Sequence, residues 1–163
     1  PTITIPLTYY TRKGYKALTD LPQGARIGIP NDPTNGSRAL HMLEEKGLIT
    51  LNPKAGIRAT VLDITTNPKK IRIVELDSAQ LPRSLDDLAA AALNARYAEP
   101  AGLTPAKDGI AQERPDGPYA NILCVRAEDA AKPWVAQFVK CYHSPEVKAF
   151  VEKRFNGGMI CAW

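Results

Sequence analysis

Arg38 lies one helical turn beyond Asn35 in the run Pro30-Asn-Asp-Pro-Thr-Asn-Gly-Ser-Arg38, where a short apolar strand gives way to a helix. The start of a helix offers unpaired N–H groups and roughly half a positive charge. Arg38 adds a planar fork that can hold a carboxylate by two parallel hydrogen bonds. Together they suit a small carboxylate or phosphate. Asn94 stands at a second strand-to-helix junction, just past Leu93. Asn35 and Asn94 each offer a donor and an acceptor, as the polar end of an amino-acid zwitterion requires. The same residues admit a plainer reading, in which the asparagines are helix caps and Arg38 is a solvated helix residue.

Other chemistry has less to work with. His41 and His143 are far apart in the chain, which gives a histidine zinc site or a Ser-His-Asp triad little basis. Glu44-Glu45 and Asp86-Asp87 are adjacent pairs, and neighbours on a helix point apart, so paired acid–base work is not expected. Residues 24–36 lack the terminal Lys-Ser/Thr of a phosphate loop. Cys124, Cys141 and Cys161 match no metal spacing, and an odd number cannot all close into internal disulfides. Two of them sit in apolar sequence, where a buried thiol behaves as a small hydrophobe. No catalytic residue, metal or cofactor is expected, because nothing builds a nucleophile beside a base.

The elements that must position Asn35, Arg38 and Asn94 follow from periodicity and punctuation. Ile3 to Tyr10 reads as a strand, and Pro6 makes it an edge or a crossing segment. Leu18 to Gly24 is a helical turn, and Arg26 to Pro30 is a strand. Asp32 caps a helix whose first position is Pro33 and whose stop is Gly47. Ile71 to Leu76 is a strand and Gln80 to Leu85 a short helix. The alanine run from Leu88 is ambiguous in itself. A fresh capping residue at Asn94 favours strand up to Leu93 and helix beyond. Thr104 to Pro118 reads as a loop, and Tyr119 to Arg126 as a strand. Helices are predicted over Pro133–Tyr142 and Pro145–Phe155, with Trp134 and Phe138 in the core. Strands alternating with helices place the chain in the α/β class.

The chain has 163 residues, 44% of them apolar, which is enough for one domain or two small lobes. A net charge of +4 from 21 basic and 17 acidic side chains is scattered singly, so nucleic acid is not an expected partner. No run approaches the ~18 apolar residues of a membrane span. The opening Pro1-Thr-Ile-Thr-Ile reads as a strand already under way, so an earlier segment is expected.

The run Pro30 to Arg38 resembles the methionine-binding lipoprotein family, the NlpA-type substrate-binding components of methionine ABC transporters. The likeness continues in order through Asn67-Pro-Lys-Lys-Ile71, Ala79-Gln-Leu-Pro-Arg-Ser-Leu-Asp-Asp87, Leu93-Asn94, Gly102-Leu-Thr-Pro-Ala-Lys-Asp-Gly109, Pro118-Tyr-Ala-Asn121 and Phe155-Asn-Gly-Gly158 to Trp163. The resemblance implies a periplasmic-binding-protein-like α/β fold with one complete lobe and part of a second. Residues 1–17 would hold a crossover strand and a remnant of the first lobe, 18–117 the second lobe, and 118–163 the return strand and C-terminal helices. It further implies that Arg38 binds the ligand carboxylate and that Asn35, Asn94 and Asn121 surround the amino-acid backbone. The ligand would be methionine or a related amino acid or dipeptide, delivered to an ABC transporter permease without covalent chemistry. The full-length form would be an extracytoplasmic lipoprotein, held at the membrane only by a lipid anchor that lies outside this chain. An alternative on the same architecture is the ligand-sensing effector domain of a regulator.

Overall fold

Proline and capping residues set the helix ends in the computed structural model, which describes residues 1–114 and 117–163. In chain order the elements are β1 (Ile3–Thr4), β2 (Thr8–Tyr10), β3 (Arg26–Pro30), α1 (Pro33–Glu45), β4 (Thr50–Leu51), β5 (Ile64–Thr66) and β6 (Arg72–Leu76). They continue with α2 (Leu81–Ser84), β7 (Ala90–Leu93), α3 (Ala95–Ala98), α4 (Pro105–Asp108) and β8 (Gly109–Gln112). The last are α5 (Pro133–Tyr142), α6 (Pro145–Phe155) and β9 (Ile160–Cys161). Asp32 caps α1, its carboxylate accepting the Asn35 N–H, and Gly47 beyond the helix takes φ +71°. Ser144 caps α6 through the Val147 N–H at 3.3 Å, and Asn156 ends it in the left-handed region.

The chain forms two compact units, Leu7–Glu113 and Pro1–Pro6 with Arg114–Trp163. The first is built on a five-stranded mixed sheet in the order β6-β3-β7-β2-β8. β3 runs parallel to β6 and β7, whereas β2 is antiparallel to both β7 and β8. Successive strand residues face opposite sides, so Tyr9, Ala90 and Ala92 enter one core with Leu40 and Leu43 of α1. Tyr10, Ala91 and Leu93 enter the other core with Leu81, Leu85 and Leu88. The alanine run is therefore a strand covered on both faces, which is why it shows no alternation.

Three expectations are corrected here. Ile3 to Tyr10 is two strands, β1 and β2, with Pro6 between them, and β2 is interior to its sheet, not an edge. The proline lies outside both ladders, so its missing N–H costs neither a hydrogen bond. The segment expected as loop contains α4 and β8, the latter completing one side of the sheet; residues 115 and 116 lie outside the described residues. Tyr119 to Arg126 is not a strand. Asn121 makes a ladder-like exchange there, donating to the Ile3 carbonyl at 2.8 Å and accepting from the Thr2 N–H at 2.7 Å.

In the second unit β1 pairs antiparallel with β9. Trp134 and Phe138, expected in the core, are 50% and 49% exposed. An aromatic cluster lies at the end of α5. There His143 stacks on Trp163 at 4.8 Å and Tyr142 meets Trp163 edge-on at 5.6 Å. Cys124 and Cys141 are exposed free thiols and Cys161 is half-buried. Among the described residues no helix is long and apolar enough to cross a membrane.

The two tyrosines of β2 carry a pH prediction. Tyr9 is fully buried and its hydroxyl donates to the Ala39 carbonyl at 3.1 Å. Burial raises the Tyr9 phenol well above its ordinary value and pushes that of Tyr10 up to about 12. The fold thus favours the neutral phenols. Their stabilisation is intact below pH ~10 and declines as the unfolded chain begins to ionise above it. Urea midpoints compared at about pH 9 and about pH 11 are expected to fall less for Tyr9→Phe than for the wild type. Equal falls in the two proteins contradict this role.

Candidate functional site

The junction of β3 and α1 gathers its polar side chains into one connected group. Asp32 accepts the Asn35 N–H at 2.9 Å, and the Asn35 Nδ2 donates to both Asp32 carboxylate oxygens at 3.2 and 3.0 Å. This fixes the Asn35 amide with its Oδ1 turned away from Asp32. That oxygen accepts from Arg38 Nη1 at 3.0 Å and from Asn94 Nδ2 at 3.1 Å. Two helix starts, far apart in sequence, are thereby joined through one amide oxygen.

Arg38 is buried, with 8% of its surface exposed. A buried guanidinium needs a counter-charge, and Glu113 supplies it. Arg38 Nε donates to Glu113 Oε1 at 3.0 Å and Nη2 donates to Oε2, a two-point pairing. Oε2 also accepts the Leu7 N–H at 3.2 Å. The group thus combines one guanidinium, two carboxylates and two amides beside a helix N-terminus. Such a set can meet a negative and a positive end of one small molecule.

Of the residues singled out in the sequence, Asn35, Arg38 and Asn94 come together in this cluster. The plainer reading does not describe them. Asp32, not Asn35, caps α1, while the Asn94 side chain makes no capping bond and Arg38 is not solvated. Asn121 belongs to the other unit, where it is exposed and bonded through its backbone to Thr2 and Ile3. Glu113 was missed by sequence reasoning, because its segment read as loop. The signal that points to it is the need of a buried arginine for a carboxylate partner.

Packing holds this group in place. Gly36 of α1 lies against β3, where an added Cβ would sit 2.8 Å from the Pro30 carbonyl oxygen. Ser37, Ala39 and Leu40 are buried beneath, and the Tyr9 hydroxyl ties the Ala39 carbonyl to β2. Among the described residues no group of three or more His, Cys, Asp or Glu side chains could hold a metal ion.

The pattern of the NlpA lipoprotein family matches residues 1–163. The chain is 44% identical over 164 residues to the D-methionine-binding lipoprotein MetQ of Escherichia coli, an alignment covering 99% of this chain and 60% of that protein. It therefore spans about three fifths of the length of such curated relatives. Among solved structures, a nutrient-binding protein from Burkholderia cenocepacia bound to methionine aligns with a TM-score of 0.86 and 51% identity, over 99% of this chain and 68% of that one. An ABC transporter periplasmic substrate-binding protein from Coxiella burnetii gives 0.85 and 47%, over 99% and 67%. The mixed α/β sheet shares the fold of these periplasmic binding proteins, of which it represents a part. On sequence and structure alike, the chain belongs to the NlpA lipoprotein family.

Proposed function

We propose that this chain is the greater part of an extracytoplasmic binding protein that captures methionine, or a related amino acid or dipeptide, and delivers it to an ABC transporter permease. The observation that carries the reading is the buried Arg38, held in orientation beside Asn35 and Asn94 at the start of α1. In this reading the guanidinium receives the ligand carboxylate, and the two asparagines orient its polar groups. Asn121 is a further proposed contact to the amino-acid backbone. The unit Leu7–Glu113 is taken as one of the family's two lobes and the remainder as part of the other. The named functions of the relatives, methionine binding and lipoprotein character, support this assignment. The protein works by binding and release, without covalent chemistry, and a lipid anchor in the full-length form keeps it at the membrane. No observation favours the regulator alternative.

The test is calorimetric titration of the full-length protein with L-methionine, D-methionine and a methionine-containing dipeptide. Saturable heat with a methionine enantiomer is expected. Heat with the dipeptide alone moves the ligand assignment, and no heat with any of the three overturns it.

A further inference from the structure

The Glu113 carboxylate faces two ways. Toward α1 it takes the Nε and Nη2 edge of Arg38. Toward β2 its Oε2 accepts the Leu7 N–H at 3.2 Å, and the Glu113 N–H donates back to the Leu7 carbonyl at 2.9 Å. Leu7 and Glu113 are the first and last residues of their compact unit. The points at which the chain enters and leaves that unit are thus bonded to each other, and Glu113 in turn pairs with the guanidinium of α1. Neutralising Arg38 requires only a carboxylate somewhere nearby. Placing that carboxylate on the last residue of the unit, bonded to the first, also ties Arg38 to the backbone at both points.

We propose that Glu113 is a positioning residue: it fixes the plane of the Arg38 guanidinium and ties it to both chain crossings at Leu7 and Glu113. The inference rests on the reading above, in which Arg38 receives the ligand carboxylate. A guanidinium already held in one plane loses less freedom when a ligand carboxylate docks on it, so the pairing favours binding.

The experiment uses the full-length protein and Glu113→Gln, which keeps the shape and an acceptor for the Leu7 N–H but removes the charge. Each is titrated with L-methionine and with L-methioninamide, which retains the ammonium and side chain and lacks the carboxylate. Methionine affinity is expected to fall by roughly ten- to a hundredfold, the scale of a hydrogen bond to a charged group, with methioninamide unaffected. In an Arg38→Gln background Glu113→Gln is expected to add nothing, since the two residues act as one unit. Glu113→Asp, which retains the charge and guards against a fold defect in the glutamine variant, is expected to give an intermediate loss for methionine alone. Equal losses for both ligands, additive losses in the double variant, or unchanged methionine affinity overturn the proposal. A folded wild type that binds no methionine overturns the functional reading itself, a result distinct from any of these.

Discussion

Arg38→Ala is expected to abolish useful ligand affinity, costing about 2–5 kcal/mol of binding free energy, and also to destabilise the fold by about 3–5 kcal/mol. Both effects come from the same geometry. Truncation removes the fork proposed to meet the ligand carboxylate. It also leaves the Glu113 carboxylate, whose side chain is only 10% exposed, without its cation. The two consequences separate in a second variant. Arg38→Met combined with Glu113→Leu replaces a buried ion pair by apolar groups of similar volume, which is near neutral for stability in comparable cases. That double variant is expected to unfold within about 1 kcal/mol of wild type in urea, yet to remain unable to bind. An unchanged affinity in Arg38→Ala removes Arg38 from the site.

Gly36→Val is expected to cost about 3 kcal/mol of stability, with weakened ligand binding in whatever fraction stays folded. The first added carbon meets the Pro30 carbonyl oxygen at 2.8 Å, and that atom is backbone at the end of β3, so it cannot swing aside as a side-chain tip would. Relief requires α1 to move away from β3. Asn35 and Arg38 move with the helix, while Asn94 and Glu113 stay with β7 and β8, so the bonds that join them lengthen. Urea denaturation and a methionine titration on the same preparation check both parts. A variant as stable as wild type shows that the junction yields more readily than the contact implies.

How much of this was legible in the sequence depended on whether the signal was local. The β3–α1 junction was readable because Asp32, Pro33 and Gly47 act within a few residues of the backbone they cap. The same holds for α5 and α6, each opened by a proline. The switch from β7 to α3 was read from Asn94, though its side chain serves Asn35 and not the helix start. Where pairing across the chain decides the outcome, the sequence was silent. β8 carries a glycine and a glutamine in four residues and is a strand because β2 lies beside it. Tyr119 to Arg126 has the β-favouring residues but forms no strand. Glu113 belongs to the same class. Nothing near it in sequence marks it, and its role follows from a contact with a residue 75 positions away. Trp134 and Phe138 show the reverse error, since helical spacing indicates an apolar face without saying what covers it.

The Arg38 guanidinium is proposed to receive the acid end of a small amino acid beside Asn35 and Asn94. A crystal structure of the full-length protein grown with methionine tests it most directly. The ligand carboxylate is expected at hydrogen-bonding distance, roughly 3 Å, from Arg38, with both asparagine amides against the ligand's polar groups. A carboxylate bound elsewhere, with Arg38 still engaged by Glu113 and Asn35, contradicts it.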